Sequence, residues 1–397
     1  METRKIASRL RIVATSVLAN MSVPVANMLC SLLVIRFISP ELWGSFTAVF
    51  LWVILALQFA GFGSKEYLLR EFTKKPQQIF NYWFSSIRSR SILLLAGIAV
   101  LFLLPVDHAL KLTLAAWLSA RFLYSSFDAV LLFQKKFSIT LILEVSGFLL
   151  MYFFISHHPE PAGLRWLLNT FLLVDSLKAI ALVIYFSGDI YKVKSILSGR
   201  NIFGGAFLFF LLSLSGMIGS RVDLYLVSFY LDKLQLAHYS VLLNFLVYLQ
   251  ALSNFIFQPF INYFYRTNFQ STGKISFQLL SLGVLLAVCG VPAIAWICKH
   301  FYHIEFDNLF IWTGMIYVIP VYYYLPRIYF LYKTGKEYLV LLVNSAGIGM
   351  NILLNILWLP SKGIFGALLA ASLVQLMYVA VYLLIEKKMQ NDFPEMS

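Results

Sequence analysis

Twelve runs of about 20 mostly apolar residues, joined by short polar connections, leave this chain little but a membrane architecture. They cover 13–35, 44–63, 91–106, 112–133, 138–156, 164–186, 203–229, 237–262, 276–298, 308–331, 338–358 and 364–385. The fold class expected is therefore an all-α integral membrane protein. No connection is long enough to fold as a soluble domain. The longest, 64–90, is basic and has room for a short surface helix. Only 12% of the residues are charged, against about 25% in soluble domains. The aromatic content of 17% suits lipid-facing surface and interfacial belts. Cys30, Cys289 and Cys298 lie in or beside the spans, and an odd number so placed argues against a disulfide framework. The basic start runs into a stretch too long for a signal-peptide core, so it reads as a retained first span.

The net charge of +13 would hint at nucleic acid in a soluble protein. Here orientation accounts for it, and no nucleic-acid partner is expected. With both termini placed in the cytoplasm, 22 of the 31 Lys and Arg fall on the inner side, 6 on the outer side and 3 within spans. That asymmetry is the positive-inside pattern.

The three intramembrane cations have acidic company. Arg121, Asp128, Glu144, Asp175, Lys178, Arg221 and Asp223 all lie inside apolar runs. A charge near the middle of a spanning helix costs roughly 2.5–3.5 kcal/mol on insertion scales. Chains keep such residues where they face protein or a water-filled interior, which points to a polar central path and to transport.

Two weak internal echoes suggest duplication. Gly44-Ser-Phe-Thr47 aligns with Ala237-His-Tyr-Ser240, and Pro161-Ala-Gly-Leu-Arg-Trp-Leu-Leu168 resembles Ser361-Lys-Gly-Ile-Phe-Gly-Ala-Leu368. Together they predict two six-helix lobes, 1–200 and 201–397, of the same handedness, with substrate between them.

Asn344-Ser-Ala-Gly-Ile-Gly-Met-Asn351, Asn355-Ile-Leu-Trp-Leu-Pro360 and Gly363-Ile-Phe-Gly-Ala367 resemble the signature of the last two helices of polysaccharide flippases. These belong to the multidrug/oligosaccharidyl-lipid/polysaccharide exporter (MOP) superfamily. Ile35-Arg36-Phe37, Pro40-Glu41-Leu42-Trp43-Gly44, Gly61-Phe62-Gly63 with Arg70, Asp223 and Pro259 are similar to that family's pattern elsewhere. Ala237 departs from it, standing where a glycine is usual. The resemblance covers almost the whole chain, whose length and twelve helices are similar to those of lipid-linked O-antigen (Wzx-type) flippases. It implies the MATE-like flippase fold, a bacterial inner-membrane location, and a substrate of undecaprenyl-diphosphate-linked oligosaccharide. It also implies alternating access, with a glycan polymerase and chain-length proteins as partners beside the lipid bilayer. Drug and organic-cation antiporters share the fold and form the rival reading.

Such a flippase moves a bulky glycan and an anionic diphosphate past hydrocarbon without making or breaking a bond. Arg suits the diphosphate because its planar fork binds two oxygens at once. Arg121 and Arg221 are the candidate cavity cations, Lys178 is a third, and Arg88, Arg90 and Arg327 are candidates for a cytoplasmic mouth. Each has a plainer reading: Arg121 paired with Asp128, Lys178 neutralised by Asp175, and Arg88, Arg90 and Arg327 as positive-inside anchors. Asp128, Glu144 and Asp175 are candidate proton or cation carriers, or interhelix contacts. Tyr317, Tyr322, Tyr323, Tyr324, Tyr329 and Tyr332 could stack on sugars or form an interfacial belt. Asn344, Asn351 and Asn355 share a helix face and read as interhelical hydrogen bonds. Pro24, Pro320 and Pro326 predict kinks. His300, His303, Glu305 and Asp307 read as a solvated loop in preference to a metal site. No Walker A loop, nucleophile elbow or nucleotide-binding glycine loop is present, so neither an ATP-driven pump nor a cofactor is expected. The outer connections are too short for a membrane glycan polymerase or acyltransferase, so an enzyme is not expected.

Overall fold

The computed structural model describes residues 2–157, 162–193, 200–257 and 269–392. Among them every regular element is helical. The chain divides into two compact units, Met1–Leu214 and Ser215–Ser397. Nine of the described helices are long and apolar enough to cross a membrane, and Met21–Phe37 is a shorter apolar stretch.

The first unit holds α1 (Glu2–Phe37), α2 (Pro40–Gly61), α3 (Ser64–Lys74), α4 (Ile79–Phe102), α5 (His108–Ser126), α6 (Asp128–Phe133), α7 (Phe137–Ser156), α8 (Leu164–Tyr185) and α9 (Ser187–Ile190), and ends inside α10 (Arg200–Tyr230). Helix α1 packs on α7, α5 on α8, and α2 on α4. Apolar side chains stay exposed along α4 (Ile92, Leu95), α7 (Ile142, Val145, Leu149) and α8 (Leu173, Leu177, Ile180, Ile184). Spaced three to four residues apart, they form stripes that suit lipid and that water would penalise.

Local chemistry fixes the ends. Ser39 caps α2 by accepting from the Leu42 amide at 3.1 Å, with Pro40 in the first turn. The helix closes on Phe62 in the left-handed region, followed by Gly63 at φ 60°. A β-carbon at Gly63 would collide with the α10 backbone at Phe209 and Phe210, so only glycine allows this approach. Tyr67, Leu68 and Phe72 bury one side of α3, while Lys65, Glu66 and Arg70 stay outside that core, so this is the short helix that connection 64–90 had room for.

Three expected boundaries move. The third span begins at Ile79, twelve residues before the expected 91, because its polar residues bond within the helix. Ser89 donates to the Ser85 carbonyl, and Arg90 Nε to Ser86 Oγ at 3.0 Å. The fourth span, expected as one piece over 112–133, breaks at Phe127 into α5 and α6. The Ser126 carbonyl at the break accepts from Trp83 Nε1 at 3.0 Å. The first span extends back to Glu2.

The second unit contains the rest of α10, then α11 (Lys233–Phe257), α12 (Phe269–Phe301), α13 (Asn308–Lys333) and α14 (Glu337–Asp392). Helix α13 packs against α11, α12 and α14. Helix α14 is two arms, matching the expected spans 338–358 and 364–385, joined at Gly363 with φ 57° and ψ −143°. That conformation is essentially open to glycine alone. Pro24 lies inside α1, and Pro320 and Pro326 inside α13.

Both units make the same turn 200 residues apart. Lys135 sits at φ 55° and Gly335 at φ 68°. The next amide donates back to Leu131 in one unit and to Leu331 in the other, each at 2.9 Å.

Candidate functional site

Helices α1, α5, α6, α7 and α8 enclose a cavity of about 290 Å³ in the first unit. Five of the seven intramembrane charges line it: Arg121, Asp128, Glu144, Asp175 and Lys178. Sequence separations of up to 57 residues collapse here because α7 and α8 both pack beside the α5–α6 break.

Glu144 is the deepest of the five, 4% exposed. One carboxylate oxygen accepts from the Tyr124 hydroxyl at 2.6 Å, and the other faces Lys178 Nζ at 2.8 Å. This pair ties α7 to α8. A β-carbon on Gly147, one helical turn beyond Glu144, would run into the Lys178 Cε, so the glycine leaves the space the lysine stem occupies. Asp175 Oδ2 accepts from Trp117 Nε1 at 2.7 Å and lies 3.7 Å from Arg121 Nε, while Oδ1 lies 4.0 Å from Lys178 Nζ. Arg121 is held over Phe50 and Trp117, 5.1 and 5.6 Å from the ring centroids. Its side chain stays 25% exposed with a single long carboxylate contact, leaving most of its donor fork free. Asp128 begins α6 and makes no hydrogen bond or ion pair among the described residues. Arg121 thus sits against Asp175 and not Asp128, and Lys178 is neutralised chiefly by Glu144 and only at longer range by Asp175.

The remaining expected site residues are not among those that line this cavity. Arg88 is exposed. Arg90, two residues on, is buried, bonded to Ser86 and the Gly61 carbonyl, and stacked on Phe122 at 5.0 Å. In the second unit, Arg221 donates to Asn244 at 2.7 Å. Arg327 is buried against Glu386 at 2.7 Å and over the Tyr323 ring at 4.0 Å. Arg327 therefore has its binding groups occupied by the protein itself, while Arg90 is held through Nε and Nη1 and keeps Nη2 without a hydrogen bond. Asp223 accepts from Tyr239 at 2.6 Å and from the Leu224 amide. Tyr317, Tyr322 and Tyr324 are buried within their unit. Asn344 donates to Ser215, and Asn355 to Asn351. In the loop between α12 and α13, Lys299 pairs with Glu305 at 2.9 Å.

Tyr124, Trp117 and Gly147 carry the site's geometry and were not picked out from sequence. The signal for them is the same 200-residue offset. Trp117, Tyr124, Glu144, Gly147, Asp175 and Lys178 correspond in register to Tyr317, Tyr324, Asn344, Gly347, Gln375 and Tyr378. The correspondence extends to one contact, since a β-carbon on Gly347 would meet the Tyr378 hydroxyl as one on Gly147 would meet Lys178, whereas the Tyr324 hydroxyl donates to Gln375 at 2.9 Å and Tyr124 to Glu144.

No family model and no curated protein matches the sequence. Solved structures do match in shape. The inward closed conformation of the lipid II flippase MurJ superposes with a TM-score of 0.68 at 17% identity, over 95% of this chain and 87% of that one. An inward-facing multidrug resistance MATE family transporter of the MOP superfamily gives 0.63 at 12% identity, over 96% of this chain and 99% of the other. The outward-facing conformation of a transporter so described gives 0.61 at 11%, over 98% and 96%. This chain has their fold. It is a multi-pass membrane protein, all-helical among the described residues, of the MurJ and MATE architecture.

Proposed function

We propose that the protein is a flippase that carries an undecaprenyl-diphosphate-linked oligosaccharide, an O-antigen or other surface polysaccharide repeat unit, from the cytoplasmic to the periplasmic leaflet of a bacterial inner membrane. The observation that carries this reading is Arg121: a guanidinium within an intramembrane cavity, braced by two aromatic rings, with most of its donors uncommitted. That is the group a diphosphate needs. The likeness to a lipid II flippase supports a lipid-linked cargo. The reading keeps twelve spans with cytoplasmic termini, two lobes meeting near residue 200, alternating access, and Arg221 as a second diphosphate ligand. Arg88, Arg90 and Arg327 serve as inner-side anchors, and a glycan polymerase and chain-length proteins act downstream.

A second reading, a cation-coupled drug antiporter, is favoured by one observation. The cavity wall carries three carboxylates, Asp128, Glu144 and Asp175, against two cations. Complementation separates the two. In a host lacking its own O-antigen flippase and supplied with matched glycan genes, the chain restores surface glycan, and Arg121→Ala abolishes restoration at unchanged expression. Drug resistance without surface glycan would replace the first reading with the second.

A further inference from the structure

Two groups in the cavity are shared, and the sharing is ordered. Asp175 presents Oδ2 to Trp117 and Arg121, and Oδ1 to Lys178. Lys178 lies 2.8 Å from Glu144 and 4.0 Å from Asp175. The Arg121–Asp175 contact, at 3.7 Å, is well outside the 2.7–2.9 Å range of a strong charged hydrogen bond. A bidentate anion would outcompete it.

We propose that Lys178 is a tethered cation that changes partner when Arg121 takes an anionic group. The anion draws Arg121 away from Asp175, Asp175 Oδ1 captures Lys178, and Glu144 loses the contact that fastens α7 to α8. Each step has its structural support. Trp117 keeps Oδ2 satisfied after Arg121 leaves. Tyr124 keeps a hydrogen bond on Glu144 after Lys178 leaves. Gly147, against which the lysine stem packs, puts no β-carbon in the way of its movement. Asp128, the other carboxylate on this wall, makes no ion pair with Arg121 or Lys178 among the described residues, and the cation that acts on it is Lys65, outside the exchange. The second unit has Asn344, Gln375 and Tyr378 at the equivalent places and therefore lacks the exchange. Cargo binding in one unit is in this way converted into a freed helix contact in that same unit.

This inference rests on the anionic-cargo reading of Arg121, and one experiment separates their fates. The full chain, with Cys289→Ser, is spin-labelled at the exposed positions Leu149→Cys on α7 and Ile180→Cys on α8 and placed in lipid nanodiscs. Inorganic pyrophosphate is the probe, with binding followed by calorimetry. Pyrophosphate should lengthen the label distance by about 2 Å, the scale of packed-helix shifts. Arg121→Gln should abolish both binding and lengthening, Lys178→Arg should respond as the parent does, and Lys178→Tyr should show the long distance without probe. Pyrophosphate that binds without any change of distance overturns the exchange and leaves the anionic cargo standing. A normal response in Lys178→Tyr overturns it as well. No pyrophosphate binding, with ethidium bound instead, overturns both.

Discussion

The two units build one constellation from two sets of side chains. In the first, a tyrosine, a carboxylate, a glycine, a second carboxylate and a lysine come together as Tyr124, Glu144, Gly147, Asp175 and Lys178. In the second, the same places hold Tyr324, Asn344, Gly347, Gln375 and Tyr378, all neutral. The glycine does the same thing in both, admitting a long side chain from the facing helix. The neutral set shows what packing alone requires of these positions. Replacing a buried ion pair by well-packed neutral groups is often neutral or stabilising, so the charges of the first unit are not there for stability. Under the proposed function, the difference is what an anionic cargo in the first unit would require.

The strongest way to break this comparison is to transplant the neutral set. Glu144→Asn with Asp175→Gln and Lys178→Tyr gives the first unit the residues its counterpart already accommodates. The triple variant should keep its thermal unfolding close to the parent's and lose glycan translocation completely. Loss of folding would mean that the two environments differ more than their register suggests. Lys178→Ala alone should behave oppositely in stability. It leaves Glu144 buried with one hydrogen bond and no counter-charge, which costs about 3–5 kcal/mol and shows as a lower melting temperature in nanodiscs.

A smaller effect sharpens the same contrast. Tyr124→Phe removes a hydrogen bond to a carboxylate, and Tyr324→Phe removes one to a neutral amide. Hydrogen bonds to charged groups contribute about 1.5–3 kcal/mol and neutral ones about 0.5–1.5 kcal/mol. Denaturation of the two variants side by side should rank them in that order. Equal losses would mean that the acceptor's charge does not set the strength of the bond.

What could be read from sequence follows from how far each signal reaches. Spans, and the buried charges within them, depend on local composition, and the helices appear where the apolar runs are. The break at Phe127 was not legible. Ser126, Phe127 and Asp128 carry no proline or glycine, and the interruption is secured by Trp83, 43 residues upstream. Charge partners were not legible for a similar reason. Arg121 and Asp128 share a helical direction in an unbroken helix, but the break separates them, and the acids that meet Arg121 and Lys178 come from α7 and α8. Tyr124 and Gly147 look ordinary in isolation. They stand out only when the chain is laid on itself at 200 residues, the offset of the second of the two weak sequence echoes. Arg90 and Arg327 show the limit of positive-inside reasoning: it counts cations per side and says nothing of the Gly61 carbonyl or Glu386, which each accept from one of them.

The smallest difference between the units is also the cleanest, because it involves backbone alone. Turns after α6 and α13 share their hydrogen bonds and the left-handed residue, yet one has Lys135 there and the other Gly335. A side chain in that region costs roughly 1–2 kcal/mol, which glycine avoids while carrying a larger unfolded-state entropy. The two terms partly offset. Lys135→Gly should therefore stabilise the protein by under about 1 kcal/mol, and Gly335→Lys should destabilise it by a similar amount. Lys136, whose Nζ lies 4.6 Å from the Tyr185 ring centroid, is untouched by either change and keeps the local charge at the membrane edge. Opposite signs in paired unfolding curves would establish that the turns are one duplicated element. Two destabilising results would mean that Lys135 is held by its surroundings and not merely tolerated.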